Sequence, residues 1–519
     1  MTDEPVVGID LGTTNSVVAF VNPAGAAEAI ADEDGQRTIP SVVHFPEGGD
    51  PVVGSLAKQQ AVVDPHRVAA AFKRGMGRRT FLDDDREFVV DGTTYPPEAL
   101  SAMVLKKLKQ AAEAHFRGEV RKAIITVPAY FGDAERKATV TAGEMAGLDV
   151  LRVINEPTAA ALAHGLGGDA EAGTILVFDL GGGTFDVTVM AVGADGSLEV
   201  KSTGGDHRFG GLDFDRLIVD RMAAVVQAET GADLRADPYA HQDALAKAEE
   251  MKKELSRKDT STRPLTAGGR SVMFTLTRAE FDGLLAESGH LQEAEDHIIN
   301  TIEDAGMEPG GITSVLMVGG SSRIIAFKDL VERVIGREPQ FSKNLDEDVA
   351  RGAAFMAAKL EETVDPDGPG AALAQLPTPV DVASRGLGVQ ALDSQGGGQL
   401  VNVVLIDANT PVPAHAEQTF GASRADQTDL ELVLTEGEET DLDFVTELGR
   451  TKGTFSKPVP LGHPVTVRLE YSVDQRITAK AIDGHSGDLL CELEVKSETA
   501  ISDDEKAALL STLANTTIG

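Results

Sequence analysis

From residue 5 to about residue 360, short apolar runs alternate with longer stretches in which apolar positions recur every three to four residues. The short runs read as strands: Pro5–Asp10, Lys122–Val127, Thr174–Phe178 and Ser314–Val318. The longer stretches read as amphipathic helices: Pro97–Phe116, Asp133–Ala146, Asp213–Thr230 and Asp243–Ser256. Strand and helix in alternation predict an α/β architecture. The stretch Thr363–Pro379 is rich in Pro, Gly and Ala, has no period, and reads as a linker. Beyond it, to about residue 497, the helical period disappears. Segments such as LELVLTEG, HPVTVRLEYSV and RITAKAIDG alternate apolar and polar residues between turn signals, which predicts antiparallel β structure. Ser502 then offers an N-cap for one short helix.

One pattern occurs twice. GIDLGTT at residues 8–14 and FDLGGGT at 178–184 each read as a strand ending in Asp-Leu-Gly, a small-residue turn and a second apolar strand (Ser16–Val21 and Asp186–Ala191). Two such hairpins predict two related halves facing one another. Glycines and small hydroxyl residues in such a turn let backbone N–H groups approach an anion. Gly12, Thr13, Thr14 and Asn15 would cradle one part of a polyphosphate; Gly181, Gly182, Gly183 and Thr184 would cradle another. Asp10 and Asp179, just before the turns, would repel phosphate unless a cation intervened, and Mg²⁺ bridges carboxylates to phosphates. Either hairpin alone is equally an ordinary Asp/Gly turn; the matched pair points to the phosphate site. There is no GxxxxGK[ST] sequence, which excludes a P-loop as the explanation.

Composition narrows the class. A chain of 519 residues is too long for one ordinary core and predicts two to four folded units. The formal charge of −36 argues against nucleic acid as a partner, which would require clustered Lys and Arg. The acidity itself reads as a solubilising surface. Cys491 is the only cysteine, so neither an intramolecular disulfide nor a multi-cysteine metal site can form. The acidic N-terminus runs straight into a strand, without the features of a signal peptide, and no apolar run approaches the ~20 residues of a membrane helix. A cytoplasmic protein is expected.

The segments IDLGTTNS, AFKRGMGRR, VPAYFGDAERKA, INEPTAAALAHG, FDLGGGTFDVTV, FGGLDFD and VGGSSRI occur in that order. As a set they resemble the nucleotide-binding domain of the seventy-kilodalton heat-shock proteins, the DnaK family, over roughly residues 5–360. The resemblance implies a two-lobed actin-like ATPase over residues 1–363, a linker over 364–376, an all-β sandwich that binds peptide over 377–498, and a short helix or tail over 499–519. It implies ATP or ADP with Mg²⁺ in a deep cleft, with Asp10 and Asp179 holding the metal's water shell. Gly12, Thr13, Thr14 and Asn15 match the turn that contacts the β- and γ-phosphates. Thr184 and Asp186 match the second phosphate turn. Lys73 matches the lysine that neutralises the γ-phosphate and positions the attacking water, and Glu156 the carboxylate that helps orient it. These roles suit phosphoryl transfer, which needs positioning and charge neutralisation more than covalent help. Outside that context, Lys73 reads as a surface lysine and Glu156 as an acid favoured by a helix dipole.

For the base, Glu249, Lys252, Lys253 and Ser256 match the family's adenosine-contacting helix. Gly319, Gly320, Ser322, Arg323 and Ile324 match the loop over adenine's other face, where a guanidinium can stack. Asp346 matches an acid that follows, although NLDEDVA departs from the family's NPDEAVA. Pro128 and Arg136 match the switch that relays nucleotide state to the other domain.

The β region resembles the family's substrate domain more distantly, through PVDVASRGLGV, IDANTPVPAHAEQTF and GHPVTVRLEYSVDQRITAKAID. Val401, Val403, Phe420, Leu430 and Leu432 are the candidates for peptide contact, with plain sandwich core as the alternative for Leu432. Three departures stand out. The linker has only Leu373 and Leu376 where the family carries a leucine run, which predicts weak interdomain coupling. Asn402 stands where an apolar residue helps cover the peptide cleft. About twenty residues follow the sandwich where the family has a long helical lid. The expected function is an ATP-dependent chaperone for extended apolar segments, served by a J-domain co-chaperone and a GrpE-type exchange factor. Two other readings remain open: a nucleotide-gated module for one dedicated partner, and a kinase or filament former on the same fold.

Overall fold

A computed structural model describes residues 4–81, 85–166, 172–342, 344–361, 379–393, 398–472, 476–495, 503–515 and 518–519. Leu373, Leu376, Ser502 and the predicted linker up to residue 378 lie outside the described residues.

The repeated Asp-Leu-Gly pattern folds into two matching sheets. In the first, Val6–Asp10 turns back antiparallel onto Asn15–Val21, which pairs with Ala27–Ala29; on its other side it runs parallel to Lys122–Val127, which runs parallel to Asp149–Asn155. In the second, Gly173–Leu180 turns back onto Phe185–Val192, which pairs with Leu198–Asp206; on its other side it runs parallel to Ser314–Val318 and then Gln340–Phe341. The same order and the same strand senses recur, so the sequence echo is an echo of topology. The central strands are buried on both faces and read as nearly continuous apolar runs, as in LVFDL and VTVMAV.

Two helices fill the space between the sheets. Glu156–Leu166 and Asp348–Leu360 approach so closely that a Cβ on Gly352 would overlap the backbone of Ala159, and one on Gly8 would overlap Ala354. Small residues at these crossings bring backbone against backbone, which draws the ends of both sheets together. Each lobe has its own core: one under Pro97–Phe116 and Asp133–Met145, the other under Gly211–Thr230, Pro238–Leu255 and His290–Asp304. The helices predicted to start at Asp213 and Asp243 start earlier, at Gly211 and Pro238. Pro238 occupies the first helical turn, where a missing N–H costs nothing, and the preceding Asp237 side chain accepts from Tyr239 N.

Residues 379–495 form two four-stranded antiparallel sheets over one core. Leu400–Ile406, Leu387–Leu392, Gln427–Glu436 and Thr446–Val459 make one; Ala414–Gly421, Pro464–Tyr471, Ile477–Asp483 and Leu489–Glu494 make the other. Alternation along Pro464–Tyr471 buries Val465, Val467, Leu469 and Tyr471.

This β unit is docked on the α/β part. Val380 extends the edge of Leu198–Asp206 through Val380 N to Leu198 O at 2.9 Å and Val200 N to Val380 O at 3.0 Å. The helix Asp503–Asn515 returns to the first lobe, where Glu505 pairs with Arg79 at 2.9 Å and Lys506 with Glu144 at 2.6 Å. Ile518 is buried in that lobe's core, and Gly519 O accepts from Val53 N at 3.1 Å.

Candidate functional site

The two hairpin turns meet face to face. A Cβ on Gly182 would overlap the Thr14 side chain, and one on Gly183 would overlap Thr13. Each turn is braced from behind. Gly12 N donates to Ser16 Oγ at 3.1 Å and Gly12 O accepts from Ser41 Oγ at 2.7 Å. Gly181 N donates to Thr184 O at 3.0 Å and Gly183 O accepts from Arg74 Nε at 2.8 Å. Arg74 also pairs with Asp213, tying the second turn to the start of the helix Gly211–Thr230. Above the turns opens a cleft of about 1560 Å³ between the lobes.

Most residues predicted for the site line that cleft: Asp10, Gly12, Thr13, Thr14, Asn15, Lys73, Glu156, Asp179, Gly181, Gly182 and Thr184 at the phosphate end, and Glu249, Lys252, Lys253, Ser256, Gly319, Gly320, Arg323, Ile324 and Asp346 at the far end. Three do not. Gly183 is buried within the turn against Thr13, and Asp186 is buried beneath it with Oδ1 accepting from Ala129 N at 2.9 Å. Ser322 is fully buried and donates its hydroxyl to Val318 O at 2.5 Å, so it closes the local turn and Ser321 takes the cleft-facing place.

Lys73 sits in a tight turn over Phe72–Gly75 after Ala71, whose φ of 59° is left-handed. This turn carries a 2 %-exposed ammonium onto Glu156 Oε1 at 2.6 Å, at the start of its helix, which overturns the surface-lysine alternative. Around the pair stand Asp10, Asp179 and Asp186. Burial and the charge of Glu156 push Asp10 up to about 7, and the same two causes hold Asp179 and Asp186 well above the carboxylate range. Four carboxyls around one lysine cannot all carry their charge here unless a further cation is bound. Asp186 Oδ2 and Thr13 Oγ1 are buried with no partner among the described residues. An oxygen-rich, charge-deficient pocket of this kind fits a hydrated Mg²⁺.

At the far end, the cleft is bridged. Lys58 from one lobe reaches Glu249 Oε2 on the other at 2.6 Å, and Lys253 takes Oε1 at 2.6 Å. Burial opposes the Glu249 charge, but the two lysines outweigh it and hold the carboxyl at about 2. Lys252 is buried and already satisfied by Gly211 O at 2.6 Å and Asp215 Oδ2 at 2.8 Å, so it shapes the wall. Arg323 pairs with Asp346 at 3.1 Å across the opening. Lys58, Arg74, Asp215 and Ser321 were not picked out from the sequence. The only signal for Arg74 was its place beside Lys73 in AFKRGMGRR, and Lys58 lies in a segment with no motif.

A family model described as Hsp70 protein matches residues 6–515, nearly the whole chain. The chain belongs to the Hsp70 family. Members of this family are ATP-dependent chaperones: ATPases that bind ATP and ADP, typically with Mg²⁺, and engage unfolded polypeptides and co-chaperones. Among the described residues no helix is long and apolar enough to cross a membrane.

The Hsp70 match extends through the β unit, where the expected peptide residues divide. Leu432 is 4 % exposed and belongs to the core, with Phe420 and Leu430 packed partly against it. Val401 and Val403 are half-buried on the strand Leu400–Ile406, beside the exposed Leu400. Asn402 is buried on the same strand. Its amide donates to Gly437 O and Glu439 O at 3.0 Å each and its carbonyl accepts from Thr435 Oγ1 at 2.6 Å, so it anchors a loop.

Of the two residues expected to form a switch, Arg136 meets the β unit directly. Pro128 ends the strand Lys122–Val127, and Ala129 follows with N on Asp186 and O accepting from Ser384 Oγ at 2.6 Å. Arg136 is buried, donating to Ala129 O, Phe131 O, Asn155 Oδ1 and Ser384 Oγ. Asn155 in turn donates to Asp381 Oδ1 at 2.7 Å.

Proposed function

We propose that this chain is an actin-like ATPase whose nucleotide state controls peptide binding in a β-sandwich. The observation that carries the reading is the pair of opposed turns with Lys73 and Glu156 in contact beneath them. ATP would lie with its phosphates between Gly12–Asn15 and Gly181–Thr184 and its base toward Arg323 and the helix Pro238–Leu255. Asp10 and Asp179 would accept hydrogen bonds from the water shell of Mg²⁺, which supplies charge neutralisation and a bridge to phosphate oxygens. Lys73, held in place by Glu156, would align the attacking water and stabilise the charge that builds on the transferring group.

Coupling would run from Asp186 through the Ala129 peptide to Ser384, and through Arg136 and Asn155 to Asp381. Every link is a buried or half-buried polar contact, so a shift of the strand end near Pro128 has to be absorbed at the β unit. This route does not need the leucine run that the linker lacks. The proposed client is an extended apolar segment gripped beside Val401, Val403, Phe420 and Leu430, with main-chain bonds to a strand edge. A J-domain protein and a GrpE-type exchange factor are the proposed co-chaperones. Stopped-flow release of a fluorescent apolar peptide tests the reading. If this route carries the coupling, ATP should accelerate release by about fivefold or more, as a coupling of ~1–3 kcal/mol requires, whereas a smaller effect would bear out the weak coupling expected from the linker. Peptide that binds but ignores ATP would refute the coupling, and no peptide binding would favour a dedicated partner.

A further inference from the structure

The second lobe carries a constellation outside the cleft. Helix His290–Asp304 presents Glu293 and His297 four residues apart, one above the other on the same face. Strand Leu198–Asp206 ends with Asp206 against that face. The ligating atoms of Asp206, Glu293 and His297 all lie within 4.8 Å of one another. None of the three lines the nucleotide cleft. Among the described residues, no hydrogen bond or ion pair is made by the Glu293 carboxylate or by either ring nitrogen of His297. Of the neighbouring groups, Asp296 adds negative charge, Asp213 is paired with Arg74 and Arg216, and His290 is bonded to Ser288 Oγ at 2.7 Å, while Asp206 Oδ1 accepts from Arg208 N.

We infer that Asp206, Glu293 and His297 form a site for a divalent first-row transition ion such as Zn²⁺. A transition ion holds its N and O donors at ~2.0–2.2 Å, hence some 3–4 Å from each other, so any pair of the triad standing wider than that must draw together. Glu293 is exposed and free to make that movement, while the half-buried Asp206 and His297 are held by their elements. The imidazole selects the ion class: nitrogen favours Zn²⁺, Ni²⁺ or Co²⁺ over the all-oxygen Mg²⁺ proposed for the cleft. Two carboxylates and one imidazole leave open positions on the solvent side for water.

Placement gives the site a consequence. Asp206 is paired across the sheet with Phe185, the first residue after the phosphate turn, and the His297 ring stands edge-on to Phe185 at 5.7 Å. An ion there would fasten the helix His290–Asp304 to the strand end behind Gly181–Thr184. It would stiffen the second lobe without touching nucleotide.

The test is Co²⁺ and Zn²⁺ uptake by the full chain, with saturating Mg·ADP present to occupy the cleft. Wild type should take up one more equivalent than His297→Gln, with a Co²⁺ visible band that the variant lacks. Zn²⁺ should raise the melting temperature of wild type only. Glu293→Gln, on the exposed face, should weaken uptake on the order of 10²-fold and serves if His297→Gln does not fold. Equal stoichiometry and affinity in wild type and variants would overturn the site, as would Mg²⁺ competing at equal concentration.

Discussion

Docking of the β unit should depend on pH through Glu436. It ends the strand Gln427–Glu436 and is 8 % exposed, with Oε1 accepting from Asp133 N at 3.3 Å at the start of the helix Asp133–Met145. Gly132 leaves no slack there, since a Cβ on it would sit 2.5 Å from Glu436 Oε2. The facing charges are mixed: Arg385 Nη1 is 3.9 Å away, while Asp133 and Glu135 are acidic and Lys137 is spent on Asp133 at 2.8 Å. Burial, only partly offset by Arg385, pushes Glu436 up to about 7. In the undocked state the group returns to its ordinary value, a difference worth about 3 kcal/mol in all. The sign follows from linkage. The docked state binds the extra proton, so docking is strongest below the ordinary glutamate range, weakens about tenfold per pH unit up to about pH 7, and is flat above it. Asp381, buried in the same interface and also pushed up by burial, titrates in the same direction. Glu436→Gln keeps the acceptor for Asp133 N and removes the charge. At pH 8 it should therefore strengthen docking by up to ~10²-fold and flatten most of the profile, and adding Asp381→Asn should flatten the rest. Energy transfer between dyes at the exposed positions 63 and 444, in a Cys491→Ser background, reads docking from pH 5.5 to 8.5. A pH-independent wild type, or an undiminished slope in the double variant, would refute the reasoning.

Two further perturbations probe the cleft. Gly182→Ala forces a methyl into Thr14, and overpacking of ~1–3 kcal/mol should weaken ATP binding roughly 10- to 100-fold by titration calorimetry. Lys58→Ala removes the Glu249 bridge between the lobes; a part-exposed pair is worth ~1 kcal/mol, so labelled ADP should dissociate about fivefold faster in a chase experiment.

The nucleotide half was legible because its chemistry is local. The Asp-Leu-Gly turns carry their function in consecutive residues, and their duplication announced the two-sheet topology before any contact was known. What escaped was whatever depends on residues distant in the chain. Arg74 braces a turn more than a hundred positions away, Lys58 crosses between lobes, and Asp215 neutralises Lys252 from another helix. Lys58 has no motif, and although Arg74 and Asp215 lie in AFKRGMGRR and FGGLDFD, nothing there names their partners, because an ion pair needs only two complementary side chains that the fold brings together. Ser322 was misplaced by one residue: the short turn at Gly320–Arg323 sends alternate hydroxyls in opposite directions, and spacing alone cannot say which faces the cleft. In the β region, alternation gave the strands correctly. It could not separate residues facing the core from those facing a ligand, since both are apolar with period two. Asn402 was read by comparison with an apolar position, whereas its three hydrogen bonds come from a loop and a neighbouring strand.

Lys73 is proposed to act in the transition state, and single-turnover hydrolysis tests that role most directly. Preformed complexes of Mg·[γ-³²P]ATP with wild type and with Lys73→Ala would be followed to completion, with ATP affinity measured in parallel. Losing one preorganised charge at the reacting phosphate should slow hydrolysis on the order of 10²-fold or more while affinity changes little. Equal single-turnover rates in the two proteins would remove Lys73 from the chemistry and contradict the proposed mechanism.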